Sequence, residues 1–236
     1  MNELITGIEK DMCTGCRSCY YVCPKKCIEM KKDSEGFLFP DVDYSECINC
    51  GKCISSCHII NDLFNEIGEN AYGFVSKRDK LLQMSTSGAF FSTISEIFLK
   101  NDAYVFGSIY DKEFNVITVG TKNYDVVKQM YGSKYVYGDT LNSYPLVKEL
   151  LESGNKVLFS GTPCQVAGLK RYLDKDYDDL FLIDILCHGG PSAELFKKYI
   201  VWLENKYKKR IKEYLLEIKN LAEEQLPKLL LKIMNQ

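Results

Sequence analysis

Eight cysteines recur at a spacing that few chemistries require. Cys13-x2-Cys16-x2-Cys19-x3-Cys23 is repeated as Cys47-x2-Cys50-x2-Cys53-x3-Cys57. Iron–sulfur cubanes need soft, charge-donating thiolates at their corners. A C-x2-C-x2-C loop wraps one cluster from three sides, and the cysteine three residues on is carried away by the start of a helix to the other cluster. The spacing therefore predicts two [4Fe–4S] clusters. Cys13, Cys16, Cys19 and Cys57 would hold one, and Cys47, Cys50, Cys53 and Cys23 the other. Gly15 and Gly51 let each loop close tightly over sulfide. Pro24 follows Cys23, whereas His58 stands where a second proline is expected and leaves that helix boundary less fixed. Zinc sites use four ligands in pairs rather than two runs of four, and dense disulfides belong to exported chains. Both remain as the weaker alternatives. Cys27 lies outside the runs and reads as a small buried residue rather than a ligand.

Four patches further on carry polar or nucleophilic groups. Ser85-Thr86-Ser87-Gly88-Ala89 precedes an apolar helix, where hydroxyls and free amides suit a phosphate. Serines and threonines at a helix start are more often plain caps. Tyr131-Gly132-Ser133-Lys134-Tyr135-Val136 offers a lysine for a phosphate and tyrosines to flank a ring. Its plainer reading is a solvated turn before a strand. Gly161-Thr162-Pro163-Cys164-Gln165 follows a strand and opens a helix, a placement that would lower the Cys164 thiol pKa. Cys164 can be a nucleophile, a cluster ligand or a helix-start residue. Cys187-His188-Gly189-Gly190-Pro191 closes another strand in the same way. Both cysteines fall at the strand edge where open α/β sheets bind ligands. His188 is a candidate proton donor, although a structural histidine is the more common case.

The elements that must position these groups divide the chain. Residues 1–66 hold nine of the 11 cysteines and carry 7 basic against 11 acidic side chains. Over about residues 5–60 they resemble the bacterial dicluster ferredoxin domain, which implies an α+β ferredoxin-like dicluster fold. Short strands are expected at 27–30 and 36–40 around the turn Asp33-Ser34-Glu35-Gly36. Residues 67–210 read as an α/β domain with a mixed or parallel sheet. Its strands are expected at 71–76, 103–110, 114–120, 156–160 and 180–186, and its helices at 88–100, 144–153, 164–173 and 193–209. The boundary is expected near residues 65–70. Residues 211–236 read as a Leu-, Lys- and Glu-rich helical tail, expected either to pack at the end of the domain or to fold poorly.

The combined pattern resembles the beta-subunit family of coenzyme F-420 hydrogenases and dehydrogenases, flavin-containing iron–sulfur reductases. The resemblance rests on Ser85 to Ala89, Gly132 to Val136, Gly161 to Leu169, and Cys187-His188-Gly189 with Pro191-Ser192, behind a dicluster ferredoxin-type module. It implies FAD bound without a covalent bond. Ser87 and Gly88 would lie near its phosphates and Gly132, Ser133, Lys134 and Tyr135 near the flavin, with Ser85, Thr86, Gly161 and Thr162 completing the site. It implies electron exchange between the clusters and FAD, and hydride exchange with coenzyme F-420 or another conjugated ring. Cys164 and Cys187 would line the pocket or help hold a further cluster. Ala89 departs from the family's Ser-Gly-Gly by one methyl. The likeness is expected to fade after Arg210, as in a truncated or frame-shifted product. The alternative is a ferredoxin-type electron-transfer or adaptor protein whose incomplete second domain only docks a partner.

Composition narrows the classes. The 236 residues are 46% hydrophobic and 26% charged with a net charge of −2. That balance fits a globular protein and gives no electrostatic reason to bind nucleic acid. No run approaches the ~20 apolar residues of a membrane span, and the first ten residues do not read as a secretory signal. A cytoplasmic protein is expected, served by a redox partner protein or a small redox coenzyme. Acidic residues of the first domain favour a partner with a basic patch.

Overall fold

The computed structural model describes residues 5–61 and 70–208. They divide into two units, Met1–Ala193 and Glu194–Gln236. The residues expected to form the domain boundary fall largely in 62–69, and those of the tail in 209–236, so both lie outside the described residues.

The first unit opens with the cysteine repeat. A 3-10 turn at Ile5–Gly7 leads to the short helix α1 (Ser18–Val22) and the hairpin β1 (Ile28–Lys32) and β2 (Leu38–Val42). The strands pair antiparallel from Ile28↔Val42 to Lys32↔Leu38. Asp33 sets this turn. Its Oδ1 accepts the N–H groups of Glu35 (3.0 Å) and Phe37 (2.8 Å), the local bonding that makes aspartate a turn residue. Helix α2 (Lys52–Ser55) repeats α1 inside the second cysteine run.

The rest of the first unit is a helix-flanked sheet. Helices α3 (Asp79–Gln83) and α4 (Phe90–Lys100) precede β3 (Tyr104–Tyr110) and β4 (Val116–Thr121). Then come α5 (Tyr124–Met130), β5 (Gly138–Asp139), α6 (Ser143–Glu152), β6 (Val157–Gly161), α7 (Pro163–Leu173) and β7 (Leu180–Asp184). The strand order is β5-β4-β3-β6-β7. β3 and β4 pair antiparallel, while β3–β6, β6–β7 and β4–β5 are parallel, so the sheet is mixed. Every residue of β6 is buried, as a central strand covered on both faces requires. Alternation sends Phe106 and Phe159 into one core with Tyr144, Val147 and Leu169. Val105 and Leu158 go to the other face with Val127, Met130 and Ala89.

One expected strand is absent. Residues 71–76 carry no strand pairing. The segment instead touches the start of α4, and only Ser76 of it is buried. The Ser76 N–H donates to the Gly88 carbonyl at 2.9 Å, and Phe74 meets Phe90 edge-on with ring centroids 5.4 Å apart. The methyl of Ala89 faces the core, where the residue is 1% exposed. Helices α3 and α5 and the two-residue β5 were not apparent in the sequence.

The described part of the second unit lies in α8 (Ala193–Tyr207), where Tyr199 and Trp202 stack with centroids 5.9 Å apart. Among the described residues no helix is long and apolar enough to cross a membrane.

Candidate functional site

The two cysteine runs wrap around each other and leave two hollows. One is lined by Cys13, Cys16, Cys19 and Cys57, with Thr14, Gly15, Arg17 and His58 on its wall. The other is lined by Cys23, Cys47, Cys50 and Cys53, with Cys27 and Ile48 beside them. Each hollow takes three thiols from one run and one from the other. Their open space is about 350 and about 390 Å³, the solvent at the mouth included.

The donor set suits a cluster better than a single ion. Among the described residues no three His, Cys, Asp or Glu side chains converge as they would round one metal ion. Zinc needs its thiolates about 2.3 Å from one point. All 11 cysteines are unbridged. Four thiols spread around a hollow fit a cubane, whose corners stand apart. Burial pushes the Cys16 thiol up to about 12 and raises Cys13 and Cys19 as well. Without metal these sulfurs therefore keep their protons, and iron binding must release them.

The hollows face different surroundings. Cys50 and Ile48 of the second are exposed, Ile48 by 57%. The first is pressed against the sheet domain. The Tyr137 hydroxyl donates to the Thr14 carbonyl inside the first cysteine loop, and the Thr140 hydroxyl donates to the Cys16 carbonyl at 3.4 Å. Gly15 has a φ of +60°, and a Cβ there would stand 2.6 Å from the Tyr137 hydroxyl oxygen. On the other side, Arg171 donates to the Asn61 carbonyl at 2.6 Å. His58 is 2% exposed, and its Nε2 lies 3.0 Å from the Thr14 hydroxyl. Burial first, then the Arg171 charge, lowers its pKa. The missing proline thus becomes a buried wall of the first hollow.

A bidentate ion pair locks this seam. Arg17 Nε and Nη2 donate to Asp139 Oδ1 and Oδ2 at 2.5 and 2.6 Å, with both side chains mostly covered. The fork geometry matches the carboxylate, and removing one partner would strand the other's charge. Arg17→Ala is expected to cost about 2 kcal/mol, which lowers the melting temperature by roughly 4–8 °C. A thermal melt against Arg17→Lys, which keeps the charge but loses the fork, checks it.

The segments singled out in the second domain meet at one edge of the sheet. The Thr86 and Ser133 hydroxyls are 3.4 Å apart. The Tyr137 N–H donates to the Pro191 carbonyl at 2.9 Å, and the Ile185 N–H to the Gly161 carbonyl at 3.0 Å. Their polar groups are largely engaged within the protein. The Ser85 hydroxyl donates to Ser92 at 2.7 Å. Lys134 donates to the carbonyls of Gln129, Tyr131 and Gly132, at 2.8, 3.2 and 3.1 Å, and so braces the end of α5. Thr162 starts α7 in a capping box, its N–H donating to Gln165 Oε1 at 3.0 Å. Ser87, Gly88 and Ala89 run through three successive left-handed conformations. Tyr135 and His188 are exposed.

Cys164 departs from the expected lowered pKa. Its thiol is raised, because burial outweighs the Thr162 hydroxyl 3.0 Å away, and Cys187 adds to the rise. Cys187 itself is exposed. The seam residues Arg17, Tyr137, Asp139 and Thr140 carried no signal of their role. The one hint was that Tyr137 directly follows the Gly132–Val136 stretch.

The comparisons divide along the same lines. Residues 12–59 match the family described as 4Fe-4S dicluster domain. Residues 154–225 match the family described as the C terminus of the coenzyme F420 hydrogenase/dehydrogenase beta subunit. The second match starts after the Ser85 and Gly132 segments. Contrary to the fading expected after Arg210, it runs on to residue 225. The NADH-quinone oxidoreductase subunit I of Pelobacter propionicus is 37% identical over 57 residues, 20% of this chain and 30% of that protein. An uncharacterized ferredoxin of Methanocaldococcus jannaschii is 39% identical over 51 residues, 21% of this chain and 64% of that protein. The chain thus spans less than two thirds of the length of either relative. It joins a stretch that matches a 4Fe-4S dicluster domain to one that matches the C terminus of the coenzyme F420 hydrogenase/dehydrogenase beta subunit.

Proposed function

We propose that this chain is an iron–sulfur flavoprotein oxidoreductase that carries electrons between two [4Fe–4S] clusters and FAD, with coenzyme F420 or another conjugated ring as the hydride partner. When bound, the clusters would supply one-electron transfer, and the flavin would join it to a two-electron step. Cys13, Cys16, Cys19 and Cys57 would hold the inner cluster, and Cys23, Cys47, Cys50 and Cys53 the outer one.

Tyr137 carries the reading. Its hydroxyl holds the first cysteine loop, its N–H holds the segment that follows Cys187, and its chain position follows the Gly132–Val136 stretch. One residue thus ties the inner hollow to the edge where the four motifs gather. Its buried ring and that of Tyr144 keep water from the seam, and burial holds both phenols protonated. Exposed Cys50 and Ile48 leave the outer hollow open to a redox partner protein.

A second reading is favoured by the hydrogen bonds at that edge. The Ser85 hydroxyl and the Lys134 ammonium, offered for flavin phosphates, bond within the protein instead. An electron-transfer or adaptor protein without flavin would need no more. Anaerobic purification and reconstitution with iron, sulfide and FAD separates the two. We expect about eight irons and one releasable flavin per chain, and reduction by reduced ferredoxin, a pyridine nucleotide or the deazaflavin. Iron without flavin would leave the adaptor reading. A colourless, iron-free preparation would remove both.

A further inference from the structure

The outer hollow holds a fifth thiol. Cys27 follows Cys23 by four residues and leads into β1. Its backbone is fixed there, since the Cys27 carbonyl accepts from the Asp43 N–H at 2.8 Å and Ile28 pairs with Val42. The side chain is 9% exposed and lines the hollow with Cys23, Cys47, Cys50 and Cys53. Its sulfur lies 3.4 Å from that of Cys23 and also interacts with Cys47. A buried cysteine packed only as a small apolar residue has no need to stand between two candidate iron donors.

The two neighbours differ in their backbone setting. Cys23 sits on the turn before β1, where its carbonyl accepts from the Lys26 N–H at 3.2 Å. That turn faces solvent, because Pro24, Lys25 and Lys26 are all exposed, and Cys23 is half-buried behind it. Cys23 thus has a second thiol directly beside it.

We propose that Cys27 is a reserve ligand, able to take over the iron held by Cys23 in the outer cluster. The inference rests on the two-cluster reading above. In the exchange the iron–sulfur bond to Cys23 breaks as one to Cys27 forms. The Cys27 S–H proton passes to the departing Cys23 thiolate. No oxidation state changes, so no oxidant or reductant is needed.

Counting iron and acid-labile sulfide in anaerobically prepared full-length variants tests this. Wild type and Cys27→Ala are expected to hold about eight irons per chain. Cys23→Ala should hold about eight as well, with an altered EPR signal from the outer cluster. The double variant Cys23→Ala/Cys27→Ala should fall to about four, as should Cys53→Ala, which keeps both thiols of the pair. A Cys23→Ala chain with no more iron than Cys53→Ala overturns the proposal, whether the loss comes from the cluster or from the fold. So does a double variant that keeps as much iron as Cys23→Ala. Wild type without iron would instead bring down the two-cluster reading, which keeps the two failures distinct.

Discussion

Replacing Gly168 by leucine is expected to strip the inner hollow of its iron and leave the outer one loaded, taking the chain from about eight irons to about four. Gly168 lies in the middle of α7. A glycine there weakens a helix by about 1 kcal/mol relative to alanine, so local propensity alone favours any larger residue. Packing forbids it. A Cβ at this position would stand 2.9 Å from Cys16 Sγ, 2.9 Å from the Tyr144 hydroxyl oxygen and 3.0 Å from Cys16 Cβ. None of these can retreat easily. The Tyr144 hydroxyl donates to the Gln165 carbonyl at 2.7 Å inside a fully buried cluster. Cys16 belongs to a loop held at Thr14 and at its own carbonyl. Overpacking costs about 1–3 kcal/mol when the surroundings must yield, and the cysteine loop is the softer side. Iron analysis with EPR of the reduced protein gives the outcome, and a thermal melt should fall by about 5 °C. Full loading with an unchanged melt would mean that α7 and the cysteine loop do not sit against each other.

The second large effect concerns the crossing of the two runs. Cys57 closes the second run in sequence but lines the first hollow. Cys57→Ala is therefore expected to remove the inner cluster, again leaving about four irons. Its residual EPR spectrum should match that of Cys13→Ala and differ from that of Cys53→Ala. Pairing within each run would reverse this, with Cys57→Ala resembling Cys53→Ala. The comparison does not depend on how stable each variant is, because the surviving cluster identifies which donors were lost.

The sequence shows the parts of this molecule whose physics is local. A regular short spacing between thiols, the apolar run Val157–Phe159 in β6 and an Asp33-to-Gly36 turn can all be read from near neighbours in the chain. Strand 71–76 failed because apolar residues alone supply no pairing partner, and Tyr72, Phe74 and Val75 stay exposed. The segment touches the start of α4 rather than a strand. Helix α5 is seven residues long, and its adjacent valines lower helix propensity, so its formation depends on packing Val127 and Met130 into the core. The seam was illegible for a different reason. Arg17 and Asp139 are 122 positions apart and Thr14 and Tyr137 are 123 apart, and nothing in either neighbourhood announces the partner. The lowered pKa expected for Cys164 was a local argument overruled by burial, which only the folded chain determines.

The interleaving of the two runs also bears on how the protein comes to be made. Three donors of the inner hollow are in place once residue 19 leaves the ribosome, yet the fourth is Cys57. The outer hollow likewise waits for Cys53. Neither cube could be sealed on a nascent chain until translation has reached the end of the second run. The maturation machinery would thus face a single late step in which both mineral centres close almost together, rather than two well separated ones.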